Sequence, residues 1–147
     1  RFYNVIGQDG FSPTNPDGLF YNLIKAAEET GEFNLYGTDY NTKDGTCVRD
    51  YVHVTDIADA HITALSRLLV PSDVYNLGTS AGASNLDIVS IAGQVVGHPI
   101  SVEFGARREG DPAVLTADPG KFHAISKWAP KYGLRDVIEH AWAWYNR

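Results

Sequence analysis

Short runs rich in Val, Tyr and Phe alternate with segments of helical hydrophobic spacing along the whole chain, and this alternation constrains the fold more than any other feature. Strand followed by amphipathic helix followed by strand predicts layered α/β packing with a partly parallel sheet. RFYNVIG opens the chain as a strand. A Gly/Pro/Asp/Asn-rich loop from Gly7 to Gly18 leads to a helix over 19–30, where Leu19, Leu23 and Ala26 or Ala27 share a face and Gly31 is the stop. Residues 34–36 form a short strand closed by Gly37. CVRDYVHV, at 47–54, reads as one strand, Thr55 caps a helix through Leu69, and VYNLG at 74–78 is the next strand. Ser84 with Asp87 three residues on is a capping-box pattern for a helix ending at Val96. Residues 100–104 form a strand, and helical pieces at 119–128 and 135–146 complete the pattern.

At 147 residues, 44% hydrophobic and 20% charged, the chain has the composition of an ordinary globular domain. The net charge of −6, with Arg107-Arg108 as the only adjacent basic pair, removes nucleic acid from the expected partners. No apolar run approaches the roughly 20 residues of a membrane helix, and RFYNVIGQDG lacks the layout of a signal peptide, so a cytoplasmic protein is expected. The single cysteine, Cys47, excludes an internal disulfide and reads as a buried small side chain. RFYNVIG begins without Met or a polar lead-in, so the chain is expected to start inside a domain.

Arg49 lies in an otherwise apolar run. It either faces solvent by alternation or presents a planar fork suited to phosphate oxygens, while Asp50 projects to the opposite face. Arg108, in the loop GARREGD, is a second such group, and Asp111 is free to bond hydroxyls. Other constellations carry less. Tyr21 and Lys25 share a helix face, as a catalytic pair would, but have no Ser or Thr partner upstream. The loop around Gly78 and Gly82 precedes a helix but lacks the G-x-G-x-x-G spacing of a pyrophosphate cradle. Histidines 53, 61, 98, 123 and 140 show no metal-ligand spacing, and no serine sits in a hydrolase elbow. Trp142 and Trp144 are expected to pack a core or rim.

Taken together, RFYN at 1–4, YGTDYNTKDGTCVRDYVHVTDIADAH at 36–61, YNLGTSAGAS at 75–84 and ARREGD at 106–111 resemble the UDP-glucose 4-epimerases and their relatives among the extended short-chain dehydrogenases. The resemblance runs through essentially the whole chain in the family's order. It implies that residues 1–147 are the C-terminal UDP-sugar-binding domain, with a few strands that would complete a Rossmann sheet. The N-terminal NAD-binding part, with the Gly-rich loop and the Tyr-x-x-x-Lys base, would lie upstream, and no catalytic residue is expected here. It further implies that Asn4, Asn22, Arg49 and Arg108 contact the sugar diphosphate, that Tyr36 stacks on uracil and that the backbone of Asn34 and Tyr36 reads the base edge. Asp111 would bind the ribose, Leu115 would stand near the hexose, and Phe2 and Tyr3 would line the nicotinamide end. The implied parent is a homodimeric isomerase of galactose metabolism that uses NAD. Other NAD-dependent epimerases, dehydratases or decarboxylases of sugar nucleotides, and a non-catalytic nucleotide-sugar-binding module, are the alternatives.

Overall fold

A computed structural model describes residues 1, 5–6, 18–30, 32–66 and 73–146, the side chains of 29 and 30 excepted. In order, the described elements are β1 (Val5–Ile6), α1 (Leu19–Lys25) running into a π-helical turn (Ala26–Thr30), β2 (Glu32–Tyr36), β3 (Val48–Asp50), β4 (Val52–His53), α2 (Val54–Ser66), β5 (Gly82–Ser84), α3 (Asn85–Val96), β6 (Ser101–Gly105), β7 (Val114–Leu115), α4 (Gly120–Ser126) and α5 (Leu134–Tyr145). The expected α/β alternation is borne out. Strand β1 pairs parallel with β4, and β2 pairs parallel with β6. Strand β3 lies between antiparallel β5 and parallel β7. Among the described residues the strands thus form three small ribbons, with helices packed between and around them.

One expectation fails in a way that explains the architecture. Residues 47–54 are not a single strand: β3 and β4 join different sheets, and Tyr51 separates them. Asp50, Tyr51 and Val52 are 2%, 6% and 1% exposed, whereas simple alternation on a half-buried strand would turn one face to solvent. Tyr51 enters a core built from Leu23, Phe33, Leu35, Ile88 and Ile138. Val52 enters a second core with Ile57, Ala60, Leu77, Phe122 and Trp128. The chain therefore crosses between two hydrophobic cores within three residues.

Two helix starts differ in outcome. Ser84 and Asp87 form the expected capping box at α3. Thr55 does not cap α2, which already begins at Val54; instead His53 Nδ1 accepts the Thr55 N–H at 3.1 Å. The predicted reach of that helix to Leu69 passes outside the described residues. VYNLG is not a strand among the described residues, but it pairs with the start of the chain: Leu77 N–H donates to Arg1 O at 2.8 Å and the Arg1 N-terminus donates to Tyr75 O at 2.7 Å. The short β5 and β7 were not expected, because two or three residues are too few to show a periodicity.

Asp50 holds the turn after VYNLG. Its buried carboxylate accepts the N–H groups of Thr79 (3.0 Å), Ser80 (3.1 Å) and Ala117 (3.2 Å), and the Thr79 hydroxyl. Gly78 is the residue that lets this loop approach: an added Cβ would stand 2.6 Å from Asp50 Oδ2 and 2.7 Å from the Ala117 Cβ. Replacing Asp50→Ala leaves several N–H donors without a charged acceptor and should cost about 3 kcal/mol in a urea unfolding experiment. A loss under about 1 kcal/mol, the scale of a single neutral hydrogen bond, would show that the carboxylate does not hold the loop.

Candidate functional site

The site is built outward from β3. Its neighbours are fixed by register: Arg49 pairs with Ala83 on one side and Leu115 on the other. The segment leading into β3 is tied by DGT, residues 44–46. Asp44 Oδ1 accepts the Thr46 N–H (2.9 Å) and hydroxyl (2.8 Å), a local turn that Asp favours. Gly45 has φ +80°, and a Cβ there would lie 2.2 Å from Thr38 O, so glycine is required on both counts. The second Asp44 oxygen accepts the Ser84 hydroxyl, which bolts the turn to the start of α3. Lys43 adds an ion pair to Asp87 at 2.7 Å.

Arg49 projects from this frame with its side chain 12% exposed. Its Nη1 donates to Val48 O (2.9 Å) and to Pro112 O (2.8 Å). Its Nη2 reaches Asp111 Oδ1 at 3.4 Å, long for a charge-assisted bond. A guanidinium has five N–H groups, and these contacts use three, so the Nε–H and one Nη2–H have no partner among the described residues. The opposite orientation of Asp50, inferred from strand alternation, is what the structure shows.

The loop after β6 supplies the remaining polar groups. Gly110, at φ +82°, closes a turn in which Asp111 N–H points at Arg108 O at 3.5 Å. Arg107 lies over the Tyr40 ring (4.1 Å from Cζ to the centroid) and donates to Asp111 O at 3.4 Å. Arg108 lies over the Tyr36 ring at 4.4 Å. Tyr36 ends β2, stays 41% exposed, and shares the exposed face of that strand with Asn34. Tyr40 is buried; burial first, then the neighbouring Cys47 thiol, push its hydroxyl pKa above the ordinary value.

The structure thus brings Arg49, Asp111 and Leu115 together, and Tyr36 with Arg108, and joins the two groups through Arg107. Asn22 is exposed on α1. Phe2, Tyr3 and Asn4 lie outside the described residues. Two other features resolve structurally. Lys25 Nζ sits 5.5 Å from the centre of the Tyr21 ring, over its face. In the Gly-rich loop before α3, Gly78 packs on Asp50 and Gly82 on Val48, and the helix start is filled by its own capping box. Sequence reasoning missed Tyr40 and Arg107 as supports of the loop. The only signal was the doubled arginine, since a stacking partner some 67 residues away leaves no local pattern.

Among known proteins, residues 1–78 match the NAD dependent epimerase/dehydratase family. The chain belongs to that family. It is 44% identical over 155 residues to the UDP-glucose 4-epimerase of Lactobacillus helveticus, covering 99% of this chain and 47% of that protein. It is 38% identical over 159 residues to UDP-glucose 4-epimerase 1 of Oryza sativa subsp. japonica, covering 100% and 45%. The solved UDP-glucose 4-epimerase of Bifidobacterium longum, in complex with NAD+ and UDP, matches with a TM-score of 0.87 at 34% identity, covering 99% of this chain and 46% of that one. This member of the NAD dependent epimerase/dehydratase family spans about half the length of the curated relatives it matches.

The frame beneath Arg49 titrates in a definite direction. Burial raises the Asp44 and Asp87 pKa values, but for Asp44 the Ser84 and Thr46 bonds, and for Asp87 the Lys43 and Ser84 bonds, outweigh it and leave both below the ordinary carboxylate value. Groups depressed in the folded state stabilise it above their unfolded pKa of about 3.9, and that stability is lost as pH falls through the lower folded values. Ser84→Ala removes the hydroxyl that donates to the Asp44 carboxylate, while the Ser84 N–H bond to Asp87 is kept. The stability gap between wild type and Ser84→Ala should be widest near neutrality and narrow below about pH 4. A gap that stays constant from pH 7 to 2 in urea melts would contradict the assignment.

Proposed function

We propose that the chain is the UDP-sugar-binding part of a UDP-glucose 4-epimerase, an NAD-dependent isomerase that interconverts UDP-glucose and UDP-galactose. The observation that carries this reading is the state of Arg49: a nearly buried guanidinium, held by two backbone carbonyls and one long carboxylate contact, with two N–H groups unspent among the described residues. Such a group is set to receive an anion with spaced oxygens, and a diphosphate offers them. Arg108 is the second diphosphate ligand and Tyr36 the uracil platform. Strand β2 is paired only with β6 among the described residues, so the other edge of its backbone at Asn34 and Tyr36 is free to meet the base. Asp111 is the ribose acceptor, and Leu115, register partner of Arg49, stands on the hexose side. Asn4 and Asn22 complete the diphosphate contacts, with Phe2 and Tyr3 toward the nicotinamide. Similarity to UDP-glucose 4-epimerases at 38–44% identity supports the same reading.

NAD, when bound, supplies the acceptor and later the donor of the hydride at the sugar C4 carbon. The described residues hold the UDP end and carry no step of that transfer, since neither the Tyr21/Lys25 pair nor the loop before α3 has the required arrangement. Anchoring at uracil and diphosphate leaves the hexose free to present either face. The whole enzyme is proposed to be a cytoplasmic homodimer of galactose metabolism. Among the described residues no helix is long and apolar enough to cross a membrane.

The test is conversion of UDP-galactose to UDP-glucose by the intact protein with NAD; release of a dehydrated or decarboxylated product would move it to a sister activity. Arg49→Ala should weaken UDP, measured as a competitive inhibitor, by roughly 2–4 kcal/mol, the scale for losing one partner of a desolvated charge pair. An unchanged inhibition constant would remove Arg49 from the site.

A further inference from the structure

We propose that Arg108 is a gate on the base platform: without ligand its guanidinium covers the Tyr36 ring, and the diphosphate of an incoming nucleotide draws it away, so that base and diphosphate subsites fill together. The inference rests on the UDP reading of the site and adds the order in which its parts become available.

The geometry supplies the gate. Arg108 Cζ stands 4.4 Å from the Tyr36 ring centre, so one face of the proposed uracil platform is already occupied. The strand side of the ring is closed by the backbone of β6. Gly105 is the register partner of Tyr36, and an added Cβ would fall 2.7 Å from its Cδ1 and 2.9 Å from its Cε1. A planar base therefore meets the ring from solvent, where Arg108 lies. The ring cannot serve guanidinium and uracil on that face at once.

Arg107 shows why only the Arg108 side chain needs to move. Its guanidinium lies on Tyr40, which is 4% exposed, and bonds Asp111 O at 3.4 Å, so it anchors the loop backbone. The turn between Arg108 and Asp111 fixes the other end. Arg108 itself is exposed, and a cation over an exposed ring is weakly held compared with a guanidinium on a phosphate. A diphosphate therefore outcompetes the ring for Arg108, whereas uridine alone must displace it without compensation. The two subsites are then positively coupled through one side chain, and the coupling is reciprocal.

Affinities of uridine, pyrophosphate and UDP for the intact protein and its Arg108→Ala variant test the gate. Arg108→Ala should bind uridine roughly two- to fivefold more tightly than wild type, the scale of an exposed cation–π contact, while binding UDP at least about tenfold more weakly. Saturating pyrophosphate should tighten uridine binding to wild type and leave Arg108→Ala unchanged. Equal or weaker uridine binding by Arg108→Ala, including none detectable in either protein, overturns the gate. The underlying reading is judged separately with Tyr36→Ala and Arg49→Ala: if both bind UDP as wild type does, the nucleotide site is elsewhere and the gate falls with it.

Discussion

A carboxylate removed from water has to be surrounded by donors, and the chain organises itself around one that is. Asp50 gathers N–H groups from the turn after VYNLG and from Ala117, just past β7, bringing together segments 29 and 67 residues away in sequence. With those segments fixed, β5 and β7 can flank β3, and the residue before Asp50 is pointed the opposite way. That residue is Arg49. The placement of the proposed diphosphate ligand is thus a consequence of strand alternation next to a buried anchor. Asp56 repeats the device, accepting the N–H groups of Lys131 (3.1 Å) and Tyr132 (3.2 Å) ahead of α5.

The same stretch joins two cores. Tyr51 and Val52 enter separate hydrophobic clusters, so residues 48–53 serve at once as the centre of the candidate site and as the connection to the β1–β4 pair. DGT adds a third constraint from the other end. Its Asp44, through Ser84, makes the entry to β3 depend on the start of α3. Dense side-chain to backbone bonding of this kind leaves little freedom in the arginine's base.

Much of this was legible in sequence for physical reasons that vary by element. The helix at 85–96 announced itself through Ser84 and Asp87, because a capping box is local chemistry. The strand read at 34–36 is the C-terminal part of β2, which begins two residues earlier at Glu32. The break at Tyr51 was not legible: Cys47 to Val54 is uniformly favourable for a strand, and only the three-dimensional competition of two cores and a carboxylate cage divides it. In the site, the resemblance named Arg49, Arg108, Asp111, Leu115 and Tyr36, which the structure gathers into two linked groups. Tyr40 and Arg107 stayed hidden because their contact spans the chain and neither residue type marks a site alone.

The most direct measurement is a structure of the intact protein with UDP bound. Diphosphate oxygens should lie within about 3 Å of Arg49 Nε and Nη2. Nη1 should remain on the Val48 and Pro112 carbonyls, as it is without ligand. UDP seated with no diphosphate oxygen in reach of Arg49, or bound against a different part of the molecule, would contradict this placement.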